Sequence, residues 1–165
     1  MRGYPARMRL LTLAAALAAL LLLAAPALAD DQSVFDAWTR ENTTLAKHEK
    51  ALGKNLKSWS NSGLRKGGPA LERISKIRAL IARRRAAVLD EDPSTGDGGS
   101  GRKNALAALR DYNAAMLKLR SAINAGMDGN RSRANSYLKQ YDALIERSQK
   151  YERRALAAFE RAGVA

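Results

Sequence analysis

Apolar residues in this chain return every three, four or seven positions in four separate stretches, the spacing of one face of a helix. Trp38, Leu45, Leu52 and Trp59 recur at intervals of seven, with Val34 and Leu56 on the same side. Ile74, Ile77, Ile81 and Val88 form a second stripe, and Leu109, Tyr112, Met116, Leu119 and Ile123 a third. A fourth, broader and diluted by alanine, carries Leu138, Tyr141, Leu144, Ile145, Leu156 and Phe159. There is no cysteine, so no disulfide can hold the chain together and each stripe must be buried against another. The expected fold is therefore all-α: an antiparallel up-down four-helix bundle, built as two helical hairpins with a flexible link between them. Coiled-coil seams share this spacing, so association with a partner helix or as a homo-oligomer is the alternative.

The boundaries follow from capping and breaking residues. Ser33-Val34-Phe35-Asp36 has the pattern of a capping box, and the first helix is expected from there to about Ser60. Gly53 in its interior costs about 1 kcal/mol against alanine and predicts a bend or a close helix approach. Pro69 suits the first turn of a second helix ending near Leu89. A third is expected from about Arg102 to Ala125, and a fourth from about Ser132 to Ala162.

Between the second and third lies the segment GDGGSGRKN, residues 96 to 104, whose glycines approach the spacing of phosphate-binding loops. Those loops need a preceding strand, and Asp90-Glu91-Asp92-Pro93-Ser94-Thr95 is not one. Arg102-Lys103-Asn104 also lacks the hydroxyl residue that would hold magnesium after the lysine. Residues 90 to 101 are expected instead to form a flexible, acidic, glycine-rich link.

Residues 1 to 29 have the three parts of a signal peptide: a basic start with Arg2, Arg7 and Arg9, an apolar run from Leu10 to Ala25, and Ala27-Leu28-Ala29 as a cleavage site. The expected mature chain is one domain, residues 30 to 165, exported to the periplasm, the cell envelope or the exterior.

Catalytic signals are weak. His48 is the single histidine, too few with no cysteine for the usual zinc sites. Ser100-Gly101-Arg102-Lys103 and Ser136-Tyr137-Leu138-Lys139 match the Ser-x-x-Lys spacing of acyl-transfer enzymes without the companion motifs. No enzyme, cofactor, metal or small-molecule substrate is expected. The alternative is a small ligand-carrying or haem-carrying bundle, with His48 and Met116 as the candidate axial ligands.

Charge supplies the remaining signal. Lys and Arg number 29 against 16 Asp and Glu, a net charge of +13. Without Arg2, Arg7 and Arg9 the net charge is +10, and +7 of it is concentrated between Arg65 and Leu89. A basic second helix predicts a non-enzymatic binding protein whose Arg73, Lys76, Arg83, Arg84 and Arg85 meet an anionic partner: a phosphate polymer, an acidic lipid surface or a nucleic acid.

Overall fold

The computed structural model describes residues 29–165, so the expected leader lies outside the described residues except for Ala29. The described chain is all-helical and contains no strand. Its helices are α1 (residues 29–39), α2 (Asn42–Asn61), α3 (Gly68–Asp90), α4 (Gly96–Met127) and α5 (Arg131–Arg161), packed together around the four apolar stripes. None of these helices is long and apolar enough to cross a membrane.

The order of contacts fixes the helix directions. Along α4 and α5, Asp97 meets Arg161 at 3.0 Å, the Ala108 carbonyl accepts from Ser148 Oγ at 3.0 Å, and Lys118 lies 5.7 Å from the Tyr137 ring centre, so the two run antiparallel. Along α3 the partners come in reverse order too: Asn55 donates to the Pro69 carbonyl at 3.0 Å, Arg83 reaches Glu41 at 3.3 Å and Ser33 donates to Glu91 at 2.8 Å. Glu49 pairs with Tyr112 and Trp59 packs on Gly126, which sets α2 parallel to α4.

The expected first helix is two helices. Its stripe is buried as expected, with Trp38, Leu45, Leu52 and Trp59 all under one-tenth exposed. The helix nevertheless breaks at Arg40 and Glu41, where Glu41 takes a left-handed φ of 62°. That conformation costs a non-glycine residue roughly 1–2 kcal/mol. Arg84, buried on α3, compensates by donating from Nε to the Trp38 carbonyl at 2.7 Å, with Nη2 reaching the same oxygen. A cation at the C-terminal end of α1 satisfies an orphaned carbonyl and opposes the negative end of the helix dipole. Gly53 marks no close approach, since a Cβ there would meet nothing within 4 Å. Ser33 is no cap either: it lies inside α1, its hydroxyl 2.7 Å from the Asp30 carbonyl and shared with Glu91.

The expected link is also different. Only residues 91–95 connect α3 to α4, and the glycine-rich segment is the first two turns of α4. Thr95 caps that helix, its hydroxyl accepting from the Gly98 amide at 2.9 Å. The buried Asp31 carboxylate on α1 accepts from the Ser94 amide at 3.0 Å and from the Thr95 hydroxyl. A Cβ on Gly98 would collide with that carboxylate, and one on Gly101 would stand 2.7 Å from the Phe159 ring on α5. These two glycines are helical because α1 and α5 press against their bare backbone. Phe159 is completely buried there, 5.5 Å from Phe35 and 5.8 Å from Trp38 between ring centres.

Two pairs of substitutions test this packing by urea unfolding. Gly101→Ala should destabilise by about 1–3 kcal/mol through overpacking on Phe159, whereas Gly99→Ala, with only Pro93 at 3.8 Å, should stabilise by up to about 1 kcal/mol. Equal effects would show that α4 does not begin among the glycines. Arg84→Ala should cost about 2 kcal/mol by orphaning the Trp38 carbonyl. Arg83→Ala, which removes only an exposed pair, should cost less than about 1 kcal/mol, and a larger loss than for Arg84→Ala would contradict the assignment.

Candidate anion-binding cleft

The five basic residues expected to meet an anionic partner are dispersed by the fold. Arg73 Nη1 lies 2.6 Å from His48 Nδ1 on α2. Lys76 is engaged by Glu72 at 2.7 Å, one turn away on the same helix, and this hydrogen bond holds the Glu72 carboxyl below its ordinary pKa. Arg83 reaches Glu41 at 3.3 Å, and Arg84 points inward to the Trp38 carbonyl. Arg84 is thus not on the surface at all; burial pushes its pKa down, while the more distant Glu152 and Glu41 push it up. Of the five, Arg85 alone opens onto a cationic cavity.

That cavity is a cleft of about 540 Å³ where α3 and α4 meet the side of α5. Arg85 comes from α3, Arg102, Lys103 and Arg110 from α4, and Tyr151 from α5. Lys103 and Arg110 are seven residues apart, so two helical turns place them on one face. Arg102 is held in place: it donates to the Val88 carbonyl at 3.0 Å and to the Leu89 carbonyl at 2.7 Å, at the C-terminal end of α3 where a cation opposes the dipole. Its third nitrogen stands 3.8 Å from Asp92. Arg110 donates to Asp111 at 2.9 Å. Among the described residues neither Arg85 nor Lys103 has an ion-pair or hydrogen-bond partner, and no carboxylate lines the cleft. An unpaired pair of cations beside two anchored ones attracts a multivalent anion and leaves its oxygens two mobile donors.

The α4 residues of this cleft were missed from the sequence because Arg102 and Lys103 stood at the start of the expected third helix, where the acids of the neighbouring link balanced them. Their spacing with Arg110 was the available signal. The haem arrangement finds no support in the placement of its two residues. His48 turns to Arg73 on α3, whereas Met116 lines a different cavity, between α2 and α5. Among the described residues no group of three or more His, Cys, Asp or Glu side chains is arranged to hold a metal.

Asp111 anchors the cleft from below. It is 1% exposed and accepts from both Arg110 and Arg147. Desolvation pushes its carboxyl pKa up, but the hydrogen bonds from Arg147 and Arg110 outweigh that, and the net shift is downward. A depressed carboxyl stabilises the fold above its unfolded value, roughly 4 for aspartate, and the contribution is lost as pH falls through the folded value. Asp111→Asn should therefore destabilise by about 1–3 kcal/mol at neutral pH. In urea unfolding the difference between the two chains should shrink as pH drops from about 5 to about 2; a difference independent of pH would contradict the pairing.

No family model matches this chain, and comparison with curated proteins and with solved structures gives no match either.

Proposed function

We propose that this protein is an exported, non-enzymatic binding protein whose residues 30 to 165 form one up-down four-helix bundle, and that it holds an anionic, phosphate-bearing polymer in the α3/α4 cleft. The export part of the reading rests on the basic start, the apolar run and the Ala27-Leu28-Ala29 site of the sequence. The bundle part rests on the short connections and the antiparallel contacts of successive helices. One observation carries the binding part: Arg85, Arg102, Lys103 and Arg110 converge on a single cleft that no carboxylate lines, and two of the four are unpaired.

This reading retains the anionic partner expected from composition but changes the residues that meet it. Arg73, Lys76, Arg83 and Arg84 are engaged by His48, Glu72, Glu41 and the Trp38 carbonyl, so their contribution to binding is discounted by those contacts. Arg85 remains, joined by the α4 cations. An acidic lipid surface is the less favoured partner, because a flat surface reaches the exposed rim of a cleft and not its interior.

Inorganic polyphosphate and a short DNA duplex are suitable probes, titrated at several salt concentrations. Affinity for duplex should fall with salt with a log–log slope near −0.9 per phosphate neutralised. Replacing Arg85 and Lys103 together with serine should flatten that slope by roughly two units, while Lys76→Ser with Arg83→Ser should change it by less than about one. A larger change from the second pair, or none from the first, would remove the cleft as the site.

A further inference from the structure

On the far side of the molecule a second cavity opens between α2 and α5. It measures about 300 Å³, at the lower end of the roughly 300–1,000 Å³ range of small-ligand pockets. Leu45, Leu52 and Leu56 of α2 form one wall, Ile145 of α5 the other, and Tyr112 and Met116 of α4 the floor. The α5 stripe explains the opening. Tyr141 and Ile145 are only half-buried, because no helix covers that side of α5 as α4 covers its other side.

Two carboxylates stand in this apolar setting, Glu49 on α2 and Glu152 on α5. Glu49 accepts a hydrogen bond from the Tyr112 hydroxyl, and among the described residues neither carboxylate has an ion-pair partner. They feel each other across the cavity. Desolvation raises the Glu152 pKa; Arg84 opposes that rise from a distance, the Glu49 charge adds to it, and Arg153 opposes it more weakly. Arg84 is the one cation bordering the adjoining hollow formed with Trp38, and its Nε and Nη2 both turn to the Trp38 carbonyl. Both carboxylates thus stand without an ion pair in a chain that is strongly basic elsewhere, offset only by cations at a distance.

Gly53 supplies an independent observation. A glycine inside a helix costs about 1 kcal/mol against alanine, and this one is exposed mid-helix, where an added Cβ would meet nothing within 4 Å. It lines the cavity, where any side chain would take up free space.

We propose that the α2/α5 groove binds a small amphiphilic organic cation, with its ammonium group beside Glu49 and Glu152 and its apolar body along Leu45, Leu52, Met116 and Ile145. The carboxylates, both exposed at the mouth of the groove, supply the attraction. The Tyr112 and Tyr141 rings offer faces that favour an ammonium group. The apolar walls supply burial for a chain of about eight carbons, and Gly53 keeps the space for it open. This site is separate from the cationic cleft, so each can fail without the other.

Octyltrimethylammonium, kept below its micellar concentration, is the probe, with octyl glucoside as its neutral counterpart. Calorimetric titration of the full chain should show saturable one-to-one binding of the cation and at least about tenfold weaker binding of the glucoside. Glu49→Gln with Glu152→Gln should weaken cation binding by about tenfold or more and leave the glucoside unchanged. Gly53→Leu should abolish binding of both while the thermal midpoint stays the same or rises, so it reports on the groove even if the double replacement impairs folding. Absence of saturable cation binding, equal affinity for the two probes, or undiminished binding by Gly53→Leu would each overturn the proposal. Polyphosphate binding at the other cleft should be unaffected by any of these replacements.

Discussion

The packing of α1 and α5 onto bare backbone at the start of α4 is the contact on which the rest of this structure depends. Gly98 meets the Asp31 carboxylate and Gly101 meets the Phe159 ring, both closer than any side chain would permit. That approach lets one carboxylate on α1 cap the start of α4 through Ser94 and Thr95. It also seats Phe159 in a cluster with Phe35 and Trp38. Glycine is a poor helix former, and these turns are held by tertiary contacts and a threonine cap against their own propensity. The same geometry brings Arg102 under the end of α3 and Lys103 beside it, so the cationic cleft is a consequence of where α4 begins.

A second theme is how an arginine-rich chain divides its cations between structure and surface. Arg84 closes the break between α1 and α2, Arg102 closes the end of α3, and Arg110 with Arg147 neutralises the buried Asp111. Each does what a planar guanidinium does well, offering several donors in a fixed fork to a carbonyl or a carboxylate. Arg85 and Lys103 have no such employment. The net charge of the sequence therefore overstates what is available to a partner, and the pairing of individual residues decides the site. Negative charge is divided in the same way, with Asp31 and Asp111 internal and Glu49 and Glu152 left in the open groove.

The first three stripes were legible in the sequence because burial follows local periodicity: Ile74, Ile77, Ile81, Leu109, Met116 and Leu119 are all buried, whereas of the expected fourth stripe only Phe159 is buried and Leu156 is exposed. What was not legible depended on residues far along the chain. The break at Glu41 has no proline or glycine to mark it, and its partners Arg83 and Arg84 lie more than 40 positions away. Glycines 96 to 101 were misplaced because glycine serves both loops and close approaches, and Asp31 and Phe159 alone distinguish the two uses. Within the basic run, Arg84 and Arg85 are neighbours in sequence but differ by about 100° around the helix. One turns into the core and the other faces the cleft, so charge density along the sequence does not say which of the two is exposed to a partner.

Amide hydrogen exchange through residues 96–106 of the native chain tests the central claim most directly. The helix predicts slowed exchange from Gly99 onward, beginning with the Gly99 amide that donates to the Thr95 carbonyl at 2.9 Å, and protection at Gly101 and Arg102 approaching that of the middle of α4. Exchange at the unprotected rate up to Arg102, with protection starting only beyond it, would restore the glycines to a flexible link and contradict the account of both the bundle end and the cleft.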